Sequence, residues 1–153
     1  MLSPELSTLL TAMTPIGEIR VALPIALLSY KMNLVTAYIL AVMGNLIPIF
    51  FLLFFWRYLA EFLMKKSPFF NKFLSWLFAR TRQKFQGSYE KWGKIALVIF
   101  VGIPLPLTGA WTGSVAAWLF GFKYWESILL NFLGICLAGL IVAGLTLGGI
   151  NIF

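Results

Sequence analysis

The sequence PIGEIRVALP, residues 15–24, decides the fold because it interrupts an apolar region with two prolines, a glycine and two charges. Pro15 and Gly17 are expected to end any helix that arrives from the N-terminus. Glu18 and Arg20 follow at once, within a part of the chain that is otherwise apolar. The stretch therefore predicts a turn that carries buried charge, not the middle of a continuous helix.

Apolar segments of similar length lie on either side of this turn. Ser3 and Pro4 are typical of a helix start, with serine as the N-cap and proline as the first helical residue. A helix from there to about Thr14 has roughly 10 to 12 residues, which reaches about halfway through a bilayer. A second apolar run covers residues 18–30. We therefore predict that residues 1–33 form a re-entrant hairpin, which enters the membrane and returns to the same face.

The same order of features recurs in the second half of the chain. A short apolar run over residues 94–101 is broken by GIPLPLTG at 102–109, and another run extends from 110 to 122. We predict a second re-entrant hairpin over residues 93–123. The residues predicted at the hairpin tips are Pro15, Gly17 and Pro24 in the first hairpin and Pro104, Pro106 and Gly109 in the second.

Each predicted hairpin is followed by an apolar run long enough to cross the hydrocarbon core, which takes roughly 20 residues. These runs predict transmembrane helices within residues 34–64 and 124–153. The second run has small residues at spacings that let another helix approach closely, either within the chain or in a dimer. These small residues are Gly134, Ala138, Gly139, Ala143, Gly144 and Gly148.

A shift of 92 residues superposes the two halves and places Gly17 on Gly109, Leu27 on Leu119 and Lys31 on Lys123. Because each half then crosses the membrane once, the halves would have opposite orientations. The predicted fold is an all-α integral membrane protein with one domain over residues 1–153, in which a re-entrant hairpin plus a transmembrane helix forms an inverted repeat. Inverted repeats with broken helices are typical of transporters.

A basic segment separates the halves, since nine of the twelve Lys and Arg residues fall within residues 57–94. The positive-inside rule predicts that this segment is cytoplasmic, in a multi-pass protein of the inner or plasma membrane. Residues 65–92 mix aromatic and basic side chains, which predicts an amphipathic helix in the cytoplasmic interface, in contact with anionic membrane lipids. Aromatic residues among bases also bind nucleic acid, but the flanking spans make lipid the expected partner, and we expect no nucleic acid.

The composition excludes most enzyme classes. Apolar residues make up 61% of the chain, against roughly 45–50% in soluble domains. There is no His and no Asp, the only carboxylate side chains are five Glu residues, and Cys136 is the single cysteine. A nucleophile with its base and orienter, or a set of metal ligands, cannot be assembled from these residues. We therefore expect no enzymatic activity, no metal site and no cofactor.

Glu18 and Arg20 are the strongest candidates for function, because one ionised side chain at the bilayer centre costs roughly 2.5–3.5 kcal/mol on insertion scales. On a regular helix they would point to different sides, but on a bent tip they could converge on one cavity. The alternative is a structural pair that neutralises itself and fixes the hairpin. The helix starts near both tips would add partial positive charge. The other predicted substrate- or ion-binding residues are Thr108, Trp111, Thr112 and Asn45, and Asn45 could instead satisfy hairpin carbonyls.

Three segments in this order resemble the small multidrug export protein family: PIGEIRVALP at 15–24, GNLIP at 44–48 and PLPLTGAWTG at 104–113. The resemblance covers nearly the whole chain, with a departure at Leu107, where a small residue is expected. That family looks distantly similar to DedA-type membrane proteins. This similarity implies paired re-entrant hairpins, and DedA-type members include carriers of polyprenyl-phosphate lipids. The resemblance thus implies the hairpin fold more strongly than any substrate.

These features together predict a small secondary transporter, proton-coupled through Glu18, that moves an amphipathic or lipid-like substrate through a site at the hairpin tips. One alternative is a polyprenyl-phosphate or phospholipid carrier of the DedA type. Another is a membrane scaffold that transports nothing and recruits partners. Because two spans and two half-depth hairpins enclose little space, we expect a homodimer.

Overall fold

A computed structural model describes residues 1–104 and 108–152 of the chain, with side chains up to Gly149. All regular secondary structure in these residues is helical, in agreement with the predicted all-α fold. The eight helices of the described residues are α1 (Pro4–Met13), α2 (Glu18–Leu28), α3 (Leu34–Tyr58), α4 (Ala60–Lys66), α5 (Pro68–Trp92), α6 (Ile95–Gly102), α7 (Ala110–Leu119) and α8 (Tyr124–Ile152).

The first hairpin consists of α1 and α2. The predicted helix start is confirmed, because the Ser3 side chain accepts a hydrogen bond from the backbone N–H of Leu6 at 3.2 Å and Pro4 is the first helical residue. At the other end of α1, the Thr14 hydroxyl donates to the Thr11 carbonyl at 2.8 Å. The chain reverses direction in this pair, since the hydroxyls of Ser7 near the start of α1 and Tyr30 after α2 lie 2.8 Å apart.

The second hairpin consists of α6 and α7, which also pack against each other. Its chain reversal is shown by Lys94 before α6, whose amino group lies 5.9 Å from the ring centre of Phe122 after α7. The connection includes Pro104, as predicted, and Gly109. Pro106, which was also predicted at this tip, and Leu107 lie outside the described residues.

The long helices α3 and α8 run antiparallel. The hydroxyl of Tyr38, near the start of α3, donates to the carbonyl of Cys136 within α8 at 2.7 Å. The hydroxyl of Tyr124, the first residue of α8, donates to the carbonyl of Phe50 in the second half of α3 at 3.0 Å. Both helices are long and apolar enough to cross a membrane by length and composition.

Each long helix packs tightly against the first helix of the hairpin that precedes it. In α3, a Cβ atom at Gly44 would lie 2.4 Å from the Leu9 carbonyl oxygen of α1. In α8, a Cβ atom at Gly134 would lie 2.6 Å from Val101 of α6. Glycine at these positions allows the close helix approach. Gly134 thus serves packing within the chain, whereas no described atom lies within 4 Å of a Cβ atom at Gly144 or Gly148.

Most of the basic segment forms α4 and α5. The helix α3, within the predicted range of 34–64, ends at Tyr58, and α4 begins at Ala60. A second break falls at Ser67, which is extended because it precedes Pro68. Helix α5 packs against α4, α6 and α7. Its Phe85 is fully buried, with ring centres of Phe100 and Phe120 at 5.4 and 4.9 Å.

Candidate functional site at the hairpin tips

The tips of the two hairpins touch each other. The Arg20 guanidinium of the first hairpin donates to the backbone carbonyl of Thr108 in the second. In the opposite direction, the backbone N–H of Trp111 donates to Glu18 Oε1 at 3.3 Å. Trp111 lies in the first turn of α7, whose N–H groups have no partner within the helix and carry partial positive charge. The two contacts therefore connect both charges of the first tip to the backbone of the second.

Glu18 and Arg20 form an ion pair, with Arg20 Nη2 3.1 Å from Glu18 Oε2. They converge although they are two residues apart, because Glu18, the first residue of α2, has a φ of 41°, outside the right-handed helical region. The Glu18 side chain is 4% exposed and the Arg20 side chain 25% exposed. The arginine is therefore the accessible member of the pair, and the carboxylate lies behind it.

Gly17 and Gly109 leave the space that this arrangement needs. A Cβ atom at Gly17 would lie 2.3 Å from the Thr11 carbonyl oxygen, so the tight turn after α1 requires glycine. Gly109 has a φ of 122°, which side chains rarely adopt, and a Cβ atom there would lie 2.2 Å from Glu18 Oε2. The predicted tip glycines are thus both at points of close approach.

Beside the ion pair lies a cavity of about 840 Å³, which we call the tip cavity. One end is polar and contains Glu18, Arg20, Thr108, Trp111 and Thr112. The remaining walls are apolar and come from the first tip, α3, α5 and α7. They consist of Pro15, Ile16, Val21, Leu52, Phe55, Trp56, Phe70, Phe73, Leu74, Leu77 and Val115.

Most of the predicted site residues lie together in the structure, but some make contacts through atoms other than those expected. Thr108 contacts Arg20 through its backbone carbonyl, whereas its hydroxyl donates to the Ile103 carbonyl at 3.0 Å. Trp111 has a buried indole N–H with no hydrogen-bond partner among the described residues. Trp111 also lines the cavity.

Two predicted residues lie within helices and do not line the cavity. Pro24 was expected at the first tip, but it lies inside α2, where its fixed φ suits a helix and its missing N–H removes one bond to the carbonyl of residue 20. Asn45 is buried in α3 and does not line the cavity. Its Oδ1 has no partner among the described residues, and the same holds for Asn131 Oδ1 in α8.

Sequence reasoning missed the walls contributed by α3 and α5. Trp56 lines the cavity and donates its indole N–H to Ser114 Oγ at 3.0 Å, which joins α3 to α7. The wall residues of α5 follow the spacing of one helix face, at positions 70, 73, 74 and 77. This spacing is typical of a packed helix face, so it could have indicated a protein contact beside the predicted lipid contact.

The site can recognise charge at one end and apolar groups along the rest. Arg20 offers a guanidinium with several donors, and Glu18 can hold or release a proton. Aromatic and aliphatic side chains form the remaining walls, which suits a molecule with an apolar body. The arrangement therefore fits an amphipathic ligand better than a small polar solute.

The family model described as "Putative small multi-drug export protein" matches residues 18–141. The match begins at Glu18, just after Pro15 and Gly17 of the first tip, and includes the second tip, all of α3 and most of α8. No curated protein and no solved structure matches the chain, so the similarity to DedA-type proteins stays a prediction. The family and the two long apolar helices together indicate a membrane protein. Because the match covers most of the chain, the protein belongs to the small multi-drug export protein family.

Proposed function

We propose that the protein is a small secondary transporter of the cell membrane, which moves an amphipathic molecule with an anionic group through the tip cavity, coupled to a proton on Glu18. The observation that carries this proposal is the position of Arg20. It bonds to Glu18, reaches across to the Thr108 backbone and is partly exposed in the cavity. Because Arg20 contacts both tips, a ligand that binds to Arg20 would change its contacts with both hairpins.

The proposed transport pathway requires that both hairpins are re-entrant. Helix α1 has 10 residues and α7 has 10, so each is about 15 Å long, or half the hydrocarbon thickness. Glu18 and Gly109, at the two tips, are in close approach. If both hairpins enter from opposite faces, their tips meet near the midplane, where broken helices of transporters bind their substrates.

An inverted repeat is supported by the contacts between α3 and α8. The two tyrosine donors, Tyr38 and Tyr124, are 86 residues apart, and the same separation holds for their acceptors, Phe50 and Cys136. Such reciprocal bonds between antiparallel helices are what a two-fold relation produces. The buried Asn45 and Asn131 also have this separation. The sequence shift that aligns the two hairpins is 92 residues, so under this relation the connection to the long helix differs in length between the halves.

Helix packing matches between the halves as well. Helix α1 packs on α3 as α6 packs on α8, and α2 packs on α8 as α7 packs on α3. With the basic residues of α4 and α5 in the cytoplasm, α3 runs inward and α8 outward. The tip cavity, which includes the last turns of α3 and the first turns of α5, then faces the cytoplasmic half of the membrane.

Proton coupling follows from competition for Arg20. An ionised Glu18 holds the guanidinium at 3.1 Å, whereas a protonated Glu18 loses most of this attraction. An anionic substrate would then bind Arg20 more tightly. By reciprocity, a bound anion favours protonation of Glu18. Proton and anion would therefore be transported together. Motion of one hairpin pair relative to the other would expose the site alternately to each side of the membrane.

The direct test measures proton uptake and transport in proteoliposomes, with octyl phosphate as the anionic probe. In weak buffer, its binding to the protein should raise the pH of the solution, and this rise should be absent for Glu18→Gln. Transport should be lost for Glu18→Gln and Arg20→Ala, but retained for the exposed controls Glu61→Gln and Arg82→Ala. Wild-type rates in both site variants would refute the proposal.

Three other functions would give different results in these assays. A phospholipid or polyprenyl-phosphate carrier is favoured by the long apolar walls of the cavity. It would bind a phosphorylated lipid only with Arg20 present and would need no proton. A drug exporter for cations would instead bind tetraphenylphosphonium, and that binding would depend on Glu18. A scaffold would show no flux, and substitutions at Glu18 and Arg20 would lower only the protein level.

A further inference from the structure

We propose that substrates reach the tip cavity sideways from the hydrocarbon of the membrane, through a gap between the first turns of α5 and the tip of the first hairpin. The site would then load amphiphiles that are dissolved in the bilayer, and not solutes from water. This inference rests on the tip cavity as the substrate site. It adds the route of entry and the class of molecule that can use it.

The rim of the cavity is identified by side chains that line it and are also exposed. On the first hairpin these are Ile16, which is 91% exposed, and Val21, which is 40% exposed. On α5 they are Phe70 and Phe73, which are 40% and 48% exposed. All four are large and apolar, so contact with water would be unfavourable. A rim of this kind is suited to hydrocarbon.

The surface next to the rim is also apolar. Phe51 and Phe54 of α3 are 72% and 55% exposed, and they alternate along the chain with the cavity residues Leu52 and Phe55. Because α3 is long and apolar enough to span a membrane, these exposed rings belong in the acyl region. The gap therefore opens toward the same lipid layer that surrounds α3.

Helix α5 packs at both of its ends on helices other than those of the first hairpin. Leu74 in its early turns lies in a buried cluster with Trp56, Ala60 and Val115. The later turns of α5 are fixed by the buried Phe85 and by Phe78, whose ring centre lies 5.0 Å from that of Trp118. The packing partners of α5 are α4, α6 and α7, whereas α1 and α2 pack mainly on α3 and α8. The first two turns of α5 thus extend from the second hairpin toward the first without a packed seam between them.

The polar end of the cavity determines which amphiphile fits. Glu18 is 3% exposed, whereas the Arg20 side chain is 25% exposed and is the accessible charge. An anionic group could reach Arg20 while its apolar chain contacts Leu52 and Leu77, which also line the cavity. The occupant is therefore a molecule with one anionic end and a hydrocarbon chain.

Cysteine labelling tests this route without any transport assay. Cys136 is the single cysteine, so Cys136→Ala gives a cysteine-free protein. Val115→Cys then places a thiol at a buried wall of the cavity, and Val142→Cys provides a buried control that does not line it. Gly87→Cys, at an exposed position, gives the reference labelling rate for each reagent, and the other rates are divided by it. The reagents are N-octylmaleimide, which partitions into bilayers, and a charged thiosulfonate, with both faces of the proteoliposomes made accessible.

We expect N-octylmaleimide to label Val115→Cys about tenfold faster than the charged reagent after normalisation, because its chain concentrates it in hydrocarbon. Val142→Cys should react slowly with both. Val21→Trp, which fills the gap, should slow octylmaleimide labelling at residue 115, whereas Leu129→Trp on the exposed face of α8 should not. If Val115→Cys does not fold, Thr112→Cys probes the same cavity.

Equal or faster labelling by the charged reagent would overturn lateral entry, and so would equal octylmaleimide rates at residues 115 and 142. The labelling rates test the route of entry whether or not the protein transports octyl phosphate. Labelling through the gap without any octyl phosphate transport would refute the transport proposal alone. Proton-coupled transport with labelling from water would refute the route of entry alone.

Discussion

Gly109 approaches Glu18 so closely that a methyl group on its α-carbon would lie 2.2 Å from the carboxylate oxygen Oε2. The first hairpin tip therefore occupies the space that a side chain at residue 109 of the second tip would need. The contact also places the first turn of α7 next to the carboxylate, where Trp111 donates its backbone N–H. The ion pair and the meeting of the two hairpins thus depend on one glycine.

Gly109→Ala should separate the tips and lower both stability and activity. An unfavourable backbone conformation alone costs about 1–3 kcal/mol, and the clash with Glu18 adds to this. Gly93→Ala is the matched control, because Gly93 also has a positive φ, of 65°, but no described atom lies within 4 Å of its added Cβ. Thermal unfolding in detergent measures both variants. If the two variants lose the same stability, the contact with Glu18 is not an important constraint.

Loss of Arg20 should destabilise the protein more than neutralisation of Glu18. Arg20→Met leaves a carboxylate that is 4% exposed without its partner, which costs about 3–5 kcal/mol in buried pairs. Glu18→Gln leaves an arginine that is 25% exposed and can be solvated in the cavity.

A double-mutant cycle measures this asymmetry through the free energy of unfolding. The variant with both Glu18→Gln and Arg20→Met should be more stable than Arg20→Met alone, because it no longer buries an unpaired charge. A double variant less stable than Arg20→Met would contradict the idea that the pair compensates buried charge. It would instead show that Glu18 stabilises the fold without Arg20, for example by accepting the hydrogen bond from the Trp111 N–H.

The helices near the tips could be predicted well from the sequence because their boundaries depend on local chemistry. Ser3, Pro4 and Pro15 act within one or two turns, so the ends of α1 follow from composition and spacing. Sequence reasoning could suggest that Glu18 and Arg20 converge, but it could not establish the pairing, since this depends on the positive φ of Glu18.

The parts that could not be predicted depend on long-range packing. The cavity walls from α3 and α5 come from segments separated from the first tip by tens of residues. The aromatic residues of α5 fit an interfacial helix equally well, and only the fold shows that Phe85 is buried and Phe69 is exposed. Likewise, Pro24 is a helix breaker by composition, yet α2 accommodates it.

Tyr38→Phe and Tyr124→Phe should have similar effects if the two long helices are related by a repeat. Each substitution removes one hydrogen bond from a hydroxyl to a carbonyl of the opposite helix, at 2.7 and 3.0 Å. A loss of about 1 kcal/mol is expected for each. Tyr58→Phe is the control, because Tyr58 is 61% exposed. Unfolding in detergent at a fixed lipid content would detect the change, and a large effect at one tyrosine only would argue against equivalence.

Phe85→Ala should release the later turns of α5. Phe85 is fully buried against Phe100, Phe120 and Phe122, so its truncation should cost about 3–5 kcal/mol. Phe69→Ala, at a residue 73% exposed, should change stability by about 0.5 kcal/mol or less. Trypsin should then cleave at Arg80 and Arg82 faster in Phe85→Ala. Unchanged cleavage would show that other contacts hold α5.

The orientation of the hairpins can be tested with single cysteines in the Cys136→Ala background. If the first hairpin is re-entrant, both of its ends lie on the outer face, because α1 and α2 are each too short to cross the bilayer. Leu2→Cys and Ser29→Cys, both at exposed positions, should therefore react with an impermeant maleimide added to intact cells. Gly87→Cys and Lys123→Cys should react only after the cells are opened, because the positive-inside rule places the basic segment in the cytoplasm. Labelling of Leu2→Cys and Ser29→Cys from opposite faces would mean that the first hairpin crosses the membrane, which would remove Glu18 and Arg20 from the midplane and with them the proposed site.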